Sequence, residues 1–313
     1  MFVRFASAVV VLIVLAILIG IAEFTARMLG LGDPLLYRAS VPVGYSLQPG
    51  QVKTRRRGAV VTIDSQGLRS LVDWSESADY RILFVGDSVT YGGSYIDDSE
   101  LFSEEVCREL RDEKDLRVTC GNAGTNAYGV DNMRARLRYS SIDNEDLIVV
   151  TLIASDAVRG MQSLHGLPYF SREPPNVIPA LTEVAVFILD TVRSRIRFGK
   201  PVPRTYDDKD LDVARESVSN LIDTLVEKQR QGKQVLLVYS PVRLEIEGRT
   251  SELQEVVFRY LQESSIPFID MRTVLQEEDL DKVYFDEVHL DVYGHELFGR
   301  EIARRIRELT DRF

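Results

Sequence analysis

The stretch Asp146-Leu147-Ile148-Val149-Val150-Thr151-Leu152-Ile153 constrains the fold of this chain more than any other. A strand with one wet face alternates apolar and polar residues, and this run leaves no face for water. Its neighbours along the chain repeat the theme. Apolar strands are predicted at Tyr80–Val85, Leu116–Cys120, Gln234–Tyr239 and Ile266–Asp270. Helices are predicted between and after them, over about Ser99–Lys114, Asp131–Arg138, Asp210–Gln231, Thr250–Gln262 and Tyr293–Leu309. Strands alternating with helices, and apolar on both sides, specify an α/β domain with a mostly parallel sheet covered on both faces.

In such sheets ligands bind beyond the carboxyl ends of the strands. Gly86-Asp87-Ser88-Val89-Thr90-Tyr91-Gly92-Gly93 follows the first strand and Gly121-Asn122-Ala123-Gly124-Thr125-Asn126 the second. Ala154-Ser155-Asp156 follows the third, and Asp286-Glu287-Val288-His289 comes after the fifth. All four segments fall on one predicted edge. A serine on a glycine-flanked turn, with an Asp and a His three residues apart, supplies the parts of a nucleophilic site. The base must reach the hydroxyl, and the carboxylate must hold the imidazole in one tautomer. No Gly-x-Ser-x-Gly pentapeptide surrounds Ser88, so a nucleophile-elbow hydrolase is not supported. Each residue also has a plainer reading: Ser88 or Asp87 as a helix cap, Asp286 and His289 as a loop ion pair, Gly124 as a turn residue. His295 lies in the last predicted helix and reads as structural, and His165 lies in an insertion.

These residues carry a resemblance. Gly86-Asp87-Ser88 after an apolar strand, Gly124 after the second, and Asp286-x-x-His289 followed by Leu290 and Gly294-His295 resemble the SGNH (GDSL) hydrolases from about Arg81 onward. That resemblance implies a flavodoxin-like three-layer domain with a five-stranded sheet, acting on acyl esters without a cofactor. It implies Ser88 as nucleophile, His289 as general base and Asp286 as its orienting partner. The oxyanion hole would use the N–H groups of Ser88 and Gly124 and a third donor. The family places an Asn there in a Gly-x-Asn-Asp turn. Here the turn reads Ile153-Ala154-Ser155-Asp156, so Ser155 stands in that place, with Asn126 or Arg159 as substitutes. Losing one such donor costs about 2.7–4 kcal/mol in the transition state.

Composition narrows the partners. Hydrophobic residues at 45% and charged residues at 27% exclude a disordered chain. A net charge of −10 argues against nucleic acid. With 2 Cys and 3 His no Cys-rich zinc framework is available, and no metal is expected. Cys107 and Cys120 fall on a predicted helix and the following strand; a disulfide and two buried thiols both account for them.

The N-terminal run from Phe5 to Ala22 is apolar apart from Ser7, long enough to cross a bilayer core of about 30 Å. We read residues 1–27 as an uncleaved signal-anchor; a cleaved signal peptide, with Gly20-Ile21-Ala22 as its site, is the competing reading. The flanking charges are nearly balanced, so the orientation rests on the resemblance, which also extends to membrane-anchored proteins of bacterial envelope polysaccharides. The amino terminus is expected in the cytoplasm and the body from Thr25 onward outside it, periplasmic or at the cell surface.

Residues 28–78 read as an extended arm with one hairpin, and 79–313 as the hydrolase-like domain with an insertion at about 160–205. The insertion carries the apolar Val184-Ala185-Val186-Phe187-Ile188-Leu189, then Arg193, Arg195, Arg197 and Lys200. It reads as a lid or core helix bordering the cleft, with a membrane-surface helix as the alternative. Three functions fit: an esterase acting on an acylated envelope glycan or related ester, an O-acyltransferase on the same scaffold, and a catalytically weak binding or assembly component of polysaccharide export.

Overall fold

A computed structural model of the chain describes residues 2–111, 116–140, 142–168, 171–172, 180–186, 188–189 and 205–310. The predicted basic cluster from Arg193 to Lys200 lies outside the described residues, as does Lys114, the expected end of the first body helix.

Helix α1 spans Phe2–Met28, and its window Val9–Met28 has a mean hydropathy of 2.8 with 6% of it buried. It is long and apolar enough to cross a membrane. Two short antiparallel hairpins follow where one was expected: β1 (Tyr37–Ser40) with β2 (Gly44–Leu47), and β3 (Gln51–Thr54) with β4 (Val60–Ile63). Each strand has four residues, too few for alternation to stand out from the surrounding prolines and glycines.

The body holds the expected sheet. Strands β5 (Tyr80–Gly86), β6 (Val118–Asn122), β7 (Leu147–Leu152), β8 (Gln234–Tyr239) and β9 (Phe268–Asp270) pair in the order β6-β5-β7-β8-β9, all parallel. The helices that frame the sheet and the site include α2 (Ser88–Tyr91), α3 (Phe102–Arg111), α4 (Val130–Tyr139), α5 (Asp208–Arg230), α6 (Glu252–Glu263) and α7 (Val292–Leu309). Alternate strand residues divide between two cores. Leu83, Val85, Ile148, Val150 and Leu237 pack with α4, α5 and α6. Ile82, Phe84, Val149, Leu236 and Val238 pack with α3 and α7. The result is a flavodoxin-like three-layer α/β/α domain.

The residues between α1 and the body belong to this core. Tyr37, Val43, Tyr45, Leu47, Val61, Ile63, Leu68 and Trp74 are all buried in the α4–α6 layer. Arg69 bridges Ile63 on one side and Asn122 of β6 on the other, which joins the second hairpin to the edge of the sheet. On the opposite face Cys107 of α3 and Cys120 of β6 form a disulfide, with Cα atoms 6.0 Å apart. The open choice between bridge and free thiols is resolved by α3 packing directly over the strand it precedes.

Candidate active site

The strand order reverses direction at β5 and β7, and their carboxyl ends open the crevice where such sheets bind ligands. Ser88 enters this crevice at the first residue of α2. The turn is tight because Asp87, fully buried, caps the helix by accepting from the Val89 N–H at 2.9 Å. Asp87 is thus the cap, and Ser88 keeps its hydroxyl for another partner.

That partner is His289. Ser88 Oγ lies 2.9 Å from His289 Nε2, and His289 Nδ1 lies 2.8 Å from Asp286 Oδ2. The second carboxylate oxygen of Asp286 accepts from the N–H groups of Val288 and His289, both at 2.8 Å. This turn fixes the carboxylate against the ring it orients. The bridge Tyr284–Leu290 and the bond from the Phe285 N–H to the His289 carbonyl close the loop beneath it.

Burial of the His289 ring opposes protonation, but the hydrogen bond and charge of Asp286 outweigh it and raise the imidazole above its ordinary pKa. Burial likewise acts to raise Asp286, and the bonds from His289 and the loop N–H groups overcome it, so this carboxyl titrates below its usual range. His295, by contrast, is buried in α7, accepts from the Phe102 N–H at 3.1 Å and stacks on the Phe102 ring. Burial pushes its pKa down to about 3, so it stays a neutral structural group, as expected. His165 is exposed, in a helical turn at Leu164–Gly166.

The other predicted residues are differently engaged. The Gly124 N–H is directed at Asn122 Oδ1, 2.9 Å away. Gly124 also lies flat against α2: a Cβ there would sit 2.3 Å from the Tyr91 nitrogen. Its small size therefore lets the second loop approach the serine turn. Ser155 Oγ accepts from Arg159 at 3.2 Å and lines a cleft of about 170 Å³ with Tyr206, Leu244 and Arg249. The Asn126 side chain donates to the Tyr37 hydroxyl at 2.9 Å.

Three features of the site escaped the sequence reading. Ala127 has φ +63°, a left-handed conformation that costs a non-glycine residue about 1–2 kcal/mol. The carbonyls on both sides hold it there: Asn126 accepts from the Tyr45 hydroxyl, and Tyr128 accepts from Arg159 at 3.0 Å. The N–H groups of Ser88, Asn126 and Ala127 have no partner among the described residues. Second, Arg159 joins two fully buried carboxylates, 3.3 Å from Asp87 and 2.8 Å from Asp156. Burial and the adjacent Asp87 charge raise the Asp156 carboxyl well above its ordinary pKa, against the opposing charge of Arg159. Third, the wholly buried Arg69 donates to the carbonyls of Tyr91 (2.8 Å), Gly93 (2.7 Å) and Ile96, and pairs with Asp98 at 2.7 Å. It fastens the loop that leaves α2. Apart from the Asp156–Arg159 pair, three residues apart, these features join residues distant in sequence or rest on backbone conformation, which no local pattern marks.

The strand order, the serine turn after β5 and the Asp-x-x-His loop before the last helix decide the architecture. It is the α/β architecture that the resemblance to the SGNH hydrolases implies. No family model matches the sequence, and no curated protein is significantly similar to it. Solved structures to which the chain is similar include an acetylxylan esterase from Geobacillus stearothermophilus, at 17% identity and TM-score 0.46, covering 74% of this chain and 95% of that one. A lipase/acylhydrolase from Enterococcus faecalis is 19% identical, TM-score 0.46, covering 74% and 96%. A G-D-S-L family lipolytic protein from Desulfitobacterium hafniense is 12% identical, TM-score 0.41, covering 72% and 99%.

Proposed function

We propose that this chain is a membrane-anchored serine ester hydrolase of the SGNH type. The observation that carries the reading is the relay from Ser88 Oγ through His289 to Asp286, with links of 2.9 and 2.8 Å. Ser88 attacks the acyl carbonyl while His289 Nε2 takes the hydroxyl proton. Asp286 remains ionised and stabilises the imidazolium. The tetrahedral intermediate collapses as His289 returns that proton to the leaving alcohol, which leaves an acyl-Ser88 ester. Water, deprotonated by the same nitrogen, then adds to the ester carbonyl and releases the acid and Ser88.

The oxyanion needs donors that are not otherwise engaged. The Ser88 N–H and those of the Asn126–Ala127 turn meet that requirement, whereas the Gly124 N–H already serves Asn122. The backbone strain at Ala127 supports this assignment, since strained residues cluster where a site demands them. Ser155 contributes through Arg159, which it helps hold against Asp87 and the Tyr128 carbonyl.

The body lies outside the cytoplasm in this proposal, with α1 as its anchor and an acylated envelope glycan or related ester as substrate. The Cys107–Cys120 disulfide supports an oxidising compartment. Treating the detergent-solubilised chain with a fluorophosphonate and weighing it tests the chemistry. One adduct on Ser88, absent from Ser88→Ala of unchanged thermal stability, is expected. An unmodified wild-type chain would sink the proposal. Digestion of the body by protease added to spheroplasts tests the topology; a protected C-terminus would reverse it.

A further inference from the structure

A groove of about 590 Å³ opens where α1 meets the body, within the size range of small-molecule sites. Its apolar walls include Leu29 and Leu31, which follow directly on α1, and Val184 and Val186 from the insertion. The helical stretch 180–186 is fastened both to the anchor helix and to the segment that follows it. Glu23 near the end of α1 accepts from the N–H groups of Ala180 (2.7 Å) and Leu181 (3.0 Å). Glu183 accepts from the Gly32 N–H at 2.8 Å and pairs with Arg55. The groove is therefore held at the level where the chain leaves the membrane span. Just beyond it Ile188 and Leu189 are each 52% exposed.

The far wall belongs to the candidate active site. Tyr95 lines the groove and stacks on Phe285, ring centroids 3.9 Å apart, and Phe285 is the residue before Asp286. Arg56 and Arg57, both exposed, lie over Phe285 at 6.0 and 5.1 Å and complete the rim. Arg57 shares one of its donors with Asp291 at 2.8 Å, and a guanidinium has four more. Apolar volume continuous with a membrane span, ending beneath two exposed guanidinium groups, matches an anionic amphiphile in both polarity and order.

We propose that this groove binds the hydrocarbon chain of an anionic membrane phospholipid, with its phosphate against Arg56 and Arg57. The lipid occupies the space between anchor and active-site loop, so the Asp286–His289 loop rests on a bilayer component. The proposal does not depend on hydrolysis, and its test reads no catalysis.

The test uses the full chain in nanodiscs doped with phosphatidylglycerol carrying a diazirine in its acyl tail. Photolysis and peptide mapping should give saturable adducts on residues 180–186 and on the peptide containing Tyr95, besides bilayer contacts along α1. A phosphatidylcholine probe with the same tail should label α1 alone. Val186→Trp, which fills the groove, should remove the adducts near Tyr95. Arg56→Gln and Arg57→Gln should each weaken groove labelling about fivefold. Labelling confined to α1, or equal groove labelling by the two probes, would overturn the proposal. Groove labelling indifferent to all three substitutions would do the same.

Discussion

Replacing Arg69 by methionine removes the most heavily used side chain near the candidate site while keeping its length and apolar stem. Asp98, 1% exposed, then loses its only cationic partner among the described residues, and the carbonyls of Tyr91, Gly93 and Ile96 lose their donor. Stranding one member of a buried ion pair costs about 3–5 kcal/mol. Domains of this size are stable by roughly 5–15 kcal/mol, so a large fraction of the total is at stake. At roughly 2–4 °C per kcal/mol, thermal unfolding of Arg69→Met should begin about 10 °C lower.

The loss should also depend on pH. Burial already raises the Asp98 carboxyl, against the opposing charge and hydrogen bond of Arg69. Without Arg69 its pKa climbs further, so the folded chain keeps a proton that the unfolded chain releases. Stability then falls as pH rises, and the gap from wild type should be wider at pH 8 than at pH 5. In Arg69→Met/Asp98→Asn the stranded charge is gone, and unfolding monitored by near-UV dichroism should recover about 2 kcal/mol relative to additivity. The loop behind α2 should still be loose, so fluorophosphonate labelling of Ser88 stays slow in both variants. Additivity within about 0.5 kcal/mol, or an Arg69→Met chain as stable as wild type, would refute the reasoning.

Asp286→Asn should lower kcat for a short aryl ester about 10⁴-fold, since the ring loses its orienting charge. In the wild type His289 must be neutral to act as base and its pKa is raised, so kcat/KM should rise with pH through a midpoint above 6.5; a midpoint below that value contradicts the coupling to Asp286. Gly124→Ala forces a Cβ to within 2.3 Å of the Tyr91 nitrogen, and the displaced serine turn should react with fluorophosphonate about 10²-fold more slowly. An unchanged labelling rate would mean that the loop yields and α2 does not. Reducing the Cys107–Cys120 disulfide, which spans a sequence separation of 13, should cost about 3 kcal/mol, read as a lower unfolding midpoint with dithiothreitol than without.

The sequence determined the sheet and the edge that matters, because both follow from local pattern. A run such as Leu147–Leu152 cannot face water, and a parallel sheet with this order exposes its strand ends on one side. Ser88, Asp286 and His289 could be picked out because each sits in a short segment beyond a strand or before a helix, while the roles expected of them came from the resemblance to the SGNH hydrolases. The remainder depended on pairings between distant residues. The residues from Tyr37 to Trp74 look like a linker because their strands are four residues long, yet Tyr45 props the Asn126 carbonyl and Arg69 clamps the loop after α2. The likeness of Gly124 to an oxyanion glycine could not reveal that its N–H turns to Asn122, while Ala127 takes the left-handed turn. A backbone N–H carries no side-chain signature, so its availability is decided by what the folded loop leaves unpaired. The groove between anchor and body is likewise a tertiary product. It exists because Glu23 and Glu183, 160 residues apart in sequence, tie the insertion to the end of α1 and leave apolar walls facing one another.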